Sequence, residues 1–165
     1  MDANDMILVS VDDHVIEPPT MFDAHMPERY RDQAPKIMED ESGSQFWLFE
    51  GQRAQNMGLN AVAGCPPEEY GLNPLRFDMM RPGCYDVHER VRDMNANGVL
   101  GSLNFPTFVH FCGQLFLRAQ DKDLAHAVVR AYNDWHIDEW AGSYPDRFIP
   151  MTIMPLWDPQ LMAAE

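Results

Sequence analysis

The sequence predicts an α/β fold built on a parallel sheet, and three observations point there. Residues 6–11 form a short, nearly continuous apolar run closed by Asp12-Asp13. Strand-like and helix-like stretches alternate further along the chain. The longest helical stretch, residues 121–141, carries one broad apolar face. Such alternation argues for right-handed βαβ units.

Each element has its own local reason. The run at 6–11 is too short for a helix and suits a strand buried on both faces of a parallel sheet. Pro18-Pro19 then breaks regular structure. Residues 36–40 and 45–49 flank Glu41-Ser42-Gly43-Ser44, the pattern of a β-hairpin. Residues 51–85 have little periodicity and many Gly and Pro, so they read as a long irregular excursion. Asp86 can cap a helix, and Glu89 three residues on completes the pattern of a capping box. Val87, Val91 and Met94 form its apolar stripe. Asn97-Gly98 tolerates the left-handed turn that ends it.

A strand over 99–105 follows, stopped by Pro106. In the long helix, Leu124, Val128, Ala131 and Trp135 make one stripe. Ala125, Val129, Tyr132, His136 and Trp140 make the adjacent one. Gly142 and Pro145 close it, and residues 148–156 read as a third strand. Asp158-Pro159 starts another helix, with Asp as cap and Pro at the first position. Only about two turns remain before Glu165, so the expectation is a chain that stops inside an element.

Composition narrows the function. Apolar residues are 45% and charged residues 23%, the globular range. The formal net charge of −14 disfavours nucleic acid and anionic membrane as partners. Residues 1–13 contain no Lys or Arg and no long apolar core, so no secretory signal is expected. Cys65, Cys84 and Cys112 lack C-x-x-C spacing and read most simply as reduced thiols of a cytoplasmic protein, with one structural pair as the open alternative. There is no Gly-rich phosphate loop, nucleophile-elbow Ser or H-E-x-x-H.

The chemistry-bearing candidate is Asp12-Asp13-His14 at the end of the first strand. Residues two apart on a strand share a face, so Asp12 and His14 project together and Asp13 turns away. A carboxylate beside an imidazole suits zinc or a similar divalent ion. The C-terminal ends of parallel strands form the active face of such folds. The spacing alone discriminates little. Asp23/His25, Asp86/His88 and Asp134/His136 share it, and only the first pair follows a strand. The same residues also suit a loop in which Asp12 and Asp13 solvate a turn. His136 reads as a partly buried packing residue with one satisfied nitrogen, and His88 and His126 as surface residues. Thr107 and His110, after the second strand, are candidates for touching substrate. Trp47, Phe46, Phe49, Trp135 and Trp140 read as packing residues.

Four stretches in order then carry a resemblance. They are Ser10-Val11-Asp12-Asp13-His14-Val15-Ile16-Glu17-Pro18-Pro19; Arg90-Val91-Arg92-Asp93-Met94 through Gly98-Val99 to Phe105-Pro106-Thr107; Ala131-Tyr132-Asn133-Asp134-Trp135; and Pro145-Asp146-Arg147-Phe148 through Met154-Pro155-Leu156. Together they resemble amidohydrolase-related proteins, including the aminocarboxymuconate-semialdehyde decarboxylase type. Residues 36–83 are covered only loosely.

The resemblance implies a partial (β/α)8 TIM barrel spanning 1–165 as the N-terminal part of one domain. It holds about the first three β/α units, with a long insertion after the first strand containing the hairpin. It implies one divalent metal, often zinc. The implied chemistry is hydrolysis or non-oxidative decarboxylation of a small carboxylated or amide-like molecule. The family's first strand supplies an H-x-H type pair. Asp12 departs from it, as in decarboxylase-like members, and a carboxylate-richer site also suits manganese. A later His and a later Asp, the expected acid or base, would lie beyond Glu165, since a whole barrel needs about 250 residues. The insertion would then act as a lid or a homodimer contact. Two alternatives stay open: a non-catalytic truncated chain or fragment needing a partner to complete the fold, and a small α/β binding module of another family.

Overall fold

A computed structural model describes residues 2, 5–54, 58, 61–70 and 75–165. The irregular reading of residues 55–57, 59–60 and 71–74 lies outside them. Three strands, β1 (Leu8–His14), β5 (Val99–Phe105) and β6 (Phe148–Ile149), form a parallel sheet in the order β1-β5-β6. Between β1 and β5 the chain makes α1 (Met21–His25) and a second, antiparallel sheet of β2 (Lys36–Glu39), β3 (Gln45–Phe49) and β4 (Gln52–Ala54). The hairpin read from sequence is therefore present, and β4 extends it by a strand that was not expected. The fold is mixed α/β with a parallel sheet, as the alternation of elements predicts.

Helix α2 (Val87–Ala96) starts where expected, with the Asp86 carboxylate accepting from the backbone N–H groups of His88 and Glu89. The capping box is only half formed, because Glu89 turns to Arg92 instead. Gly98, at φ 68°, lets the chain leave the helix. Helix α3 (Lys122–Trp135) is capped by Asp121 and buries its apolar stripes. It does not continue as α-helix to residue 141, since His136–Ala141 widens into a π-helix. An apolar cluster seats the insertion on this frame. Trp47 stacks on Phe108 at 4.6 Å, and Phe22 meets both edge-on. No helix among the described residues is long and apolar enough to cross a membrane.

Two strand expectations need correction. β1 is not buried on both faces, for Leu8, Val9 and Val11 are 52%, 42% and 64% exposed. It has a strand neighbour on one side only among the described residues. The third strand covers 148–149 rather than 148–156. Pro150 and Pro155 carry no N–H for a ladder. Ile153 gives its N–H to Asn133 Oδ1 (2.8 Å) and takes Asn133 Nδ2 on its carbonyl (3.0 Å). A side chain on α3 thus replaces a neighbouring strand there.

Candidate active site

The C-terminal end of β1 is organised from beneath by a polar network. Ser10 and Asp13 both serve one face because the β1–β5 register shifts between them. Ser10 Oγ donates to Asp13 Oδ1 at 2.7 Å, and Ser102 Oγ donates to Asp13 Oδ2. Asn104 Nδ2 donates to Ser102 Oγ (3.0 Å), and Trp140 Nε1 donates to Asn104 Oδ1 (2.8 Å). Ser102 and Asn104 are buried, so the links between Ser102, Asn104 and Trp140 are made in a dry site, where unmade bonds are most costly, while the bonds to Asp13 are part-buried. Arg90 reaches the same end, donating to the carbonyls of His14 (2.6 Å) and Gly83 (2.5 Å). Burial lowers its pKa, and the nearby Asp13 carboxylate opposes that shift.

Strand alternation then sets the other face. By alternation Asp12 and His14 lie opposite Asp13 across β1, yet all three line one cleft beside the strand, with Arg90 of α2. His14 pairs in register with Phe105, and their rings sit 5.8 Å apart. Phe111, 64% exposed, stacks on Phe105 at 6.2 Å. Asp12 is exposed and His14 half-buried. Among the described residues, no group of three His, Cys, Asp or Glu side chains is arranged to hold a metal ion.

Thr107 lies two residues past β5. Its N–H donates to Glu17 Oε1 (3.0 Å), while Phe108 N–H donates to Glu17 Oε2 (2.8 Å). Glu17 therefore ties the segment after β1 to the segment after β5. It is 1% exposed, and burial pushes its pKa up to about 7 against the pull of those backbone bonds. His110 is exposed and does not join Asp12 and His14 around one cavity. It lines a cavity against the hairpin sheet, whereas Asp12 and His14 line a cleft beside β1 with Arg90.

The remaining histidines separate clearly. His136 is 1% exposed, and neither ring nitrogen has a hydrogen-bond partner among the described residues. It is thus fully buried with no satisfied nitrogen, contrary to expectation, because it faces the Tyr132 ring at 5.9 Å and Trp135 at 6.0 Å. That burial lowers its pKa to about 4. His25 pairs with Glu139 at 2.7 Å, and His88 with the Tyr144 hydroxyl at 2.9 Å. His126 is half-buried, 3.4 Å from Glu165.

Sequence reasoning missed Glu17, Arg90 and the Ser102–Asn104 pair. Polar residues inside the otherwise apolar run 99–105 were the available signal for the last two. Glu17, set between Ile16 and Pro18, offered a weaker one.

No protein-family model and no curated protein matches the sequence. The fold is similar to the crystal structure of an amidohydrolase from Mycobacterium avium subsp. paratuberculosis, with a TM-score of 0.65 and 19% identity. The match covers 97% of this chain and 45% of that one, so the chain spans less than half the length of that protein. At this identity the likeness speaks for the fold.

Proposed function

We propose that the chain is the N-terminal part of a (β/α)8-barrel enzyme that uses a divalent metal to hydrolyse or decarboxylate a small carboxylated or amide-like molecule. One observation carries this reading. The open face of the parallel sheet is apolar, with Val9, Val11 and Ile149 all more than 40% exposed. Parallel sheets are ordinarily covered on both faces. Closure into a barrel, by further strands of the same chain or of a partner, would cover this face and make it the interior. Asp12, His14, Phe105 and Phe111 would then sit at its C-terminal mouth, where barrels carry their chemistry. The likeness to an amidohydrolase fold over 97% of the chain supports the same reading.

The donor set fits a metal in kind. Asp12 offers a carboxylate and His14 an imidazole, which suit zinc or manganese. Further donors would come from the strands that close the barrel. A bound ion would supply Lewis acidity toward a substrate oxygen or water. The chain's own residues orient and enclose. Asp13, held by Ser10 and Ser102, fixes the strand end from which the two donors project. Phe105 and Phe111 give a substrate's apolar part a flat surface. The insertion, residues 15–85, serves as a lid or homodimer contact. Unchanged amide exchange there, with and without substrate or partner, would remove both roles.

The test titrates manganese into the labelled chain and reads paramagnetic broadening. Broadening should centre on Asp12 and His14 and vanish in His14→Ala. Broadening spread over the acidic surface, with no preference for this pair, refutes the metal assignment. In protein with a closed barrel, release of CO2 as against an amine or alcohol separates decarboxylation from hydrolysis.

A further inference from the structure

We propose that the cavity between the hairpin sheet and the Phe111–Arg118 segment binds a small organic carboxylate with an apolar body. The cavity is about 570 Å³, a size that suits a small molecule. It shares no lining residue with the cleft beside β1. The inference therefore does not rest on the metal-dependent reading.

Backbone strain is the first argument. The non-glycine residues with positive φ among those described are Glu50 (47°), His110 (59°) and Cys112 (54°). Glu50 and His110 line the cavity, and Cys112 is the second residue after His110. His110 combines its φ with ψ −179°, a region populated almost only by glycine. Strain of this kind persists where surrounding structure enforces it, and it clusters at ligand sites.

Charge is the second argument. Glu50 is committed, since its two carboxylate oxygens accept the N–H groups of Gln120 (2.8 Å) and Asp121 (2.9 Å). That bond bolts the hairpin sheet to the start of α3. Arg53 is committed as well, to Asp40 at 2.8 Å and over the Phe46 ring at 4.0 Å. Arg118 also lines the cavity, with no acidic partner among the described residues. A guanidinium with no acidic partner among the described residues, in a chain of net charge −14, is the natural partner of a ligand carboxylate, which its planar fork grips with two parallel hydrogen bonds. Gln114 and the His110 imidazole supply further polar groups, while Leu115, Leu117 and Ala54 offer an apolar surface. One guanidinium without an acidic partner among the described residues, set in a lining of mixed polar and apolar side chains, favours a singly charged organic anion over phosphate.

The experiment is an NMR titration of the isotope-labelled chain with benzoate, with inorganic phosphate as the contrasting anion. Two variants accompany it, Arg118→Gln and His110→Gly. Benzoate should give saturable shifts at Gln52, His110, Gln114 and Leu117, and phosphate should bind more weakly. Arg118→Gln should weaken benzoate by about tenfold or more, the loss of the charge-assisted pair of hydrogen bonds. His110→Gly relieves the backbone and should melt at the same or a higher temperature, yet bind benzoate several-fold more weakly. The proposal is overturned by non-saturable shifts, by shifts centred elsewhere, by phosphate binding as tightly as benzoate, or by unchanged affinity in either variant. His110→Gly keeps the test decisive even if Arg118→Gln folds poorly.

Discussion

Two buried groups should give the protein opposing pH dependences that nearly cancel, and a single substitution should unmask either one. Glu17 is 1% exposed, with its pKa raised from 4.5 to about 7. The folded protein keeps a proton there that the unfolded chain releases above pH 4.5. Its contribution is fully present at low pH and is lost as pH rises through about 7. His136 is 1% exposed, with its pKa lowered from 6.5 to about 4. Here the unfolded chain takes up a proton below pH 6.5 that the folded protein refuses. That contribution is fully present above pH 6.5 and is lost as pH falls through about 4. Each window spans about 2.5 pH units, worth about 3 kcal/mol at 1.36 kcal/mol per unit. Where the windows overlap, the slopes have opposite signs. His136→Phe keeps a ring against Tyr132 and removes one slope, so stability should fall by about 3 kcal/mol from about pH 4.5 to about pH 7. Glu17→Gln should do the reverse, with stability rising between about pH 4 and about pH 6.5. Glutamine can accept only one of the two N–H groups of Thr107 and Phe108, which lowers stability at every pH but leaves the slope intact. The assay is urea unfolding by tryptophan fluorescence in half-unit steps from about pH 4 to about pH 8. Dilute protein is needed near the isoelectric point of about 4.6. If His136→Phe follows the parent's slope, the imidazole is not held neutral by burial and the reasoning fails.

Three further substitutions probe the packing. Trp47 and Trp140 are both buried, but Trp47 Nε1 has no partner among the described residues while Trp140 Nε1 holds Asn104. Trp140→Phe should therefore cost at least about 1 kcal/mol more than Trp47→Phe in urea unfolding, because it strands the Asn104 carbonyl; equal losses would mean the network is not taut. Asn133→Ala leaves both backbone groups of Ile153 unpaired and should cost about 3 kcal/mol. Exchange of the Ile153 amide should speed up by about two orders of magnitude, and a protected amide in the variant would count against the Asn133 splint.

Elements whose cause is local were legible in the sequence. The stripes of α2 and α3, their Asp86 and Asp121 caps, and the turn between β2 and β3 depend on residues a few positions apart. What depends on distant partners was not legible. Residues 148–156 look like a strand in sequence, yet Asn133, twenty residues before Ile153, satisfies that backbone and the ladder stops at Ile149. β1 looks doubly buried because its residues are apolar, but its cover must come from elements that pack against it. The placement of Asp12 and His14 at a strand end could be read directly. The separation of His110 from them could not, since it follows from how the hairpin sheet folds back over the Phe111–Arg118 segment.

The polarity of the parallel sheet is inverted, and the inversion bears on the candidate site. Ser102 and Asn104 lie buried under the helices, where apolar residues are usual, and Asp13 and Ser10 extend their hydrogen bonds to the edge of the cleft, while Val9 and Ile149 face outward. Burying this polar set is tolerable only because each member has a partner. Fixed partners define one register for β1 against β5. A one-residue slip of β1 would swing Asp13 to the open face and drive Asp12 and His14 beneath the helices. It would also break the bonds to Ser102 and face charged or ring side chains with Asn104 and Trp140. The slipped state is thus penalised by unmade buried hydrogen bonds, and an apolar face would impose no such penalty. The network is therefore what fixes the β1 register on which the placement of Asp12 and His14 at the strand end depends.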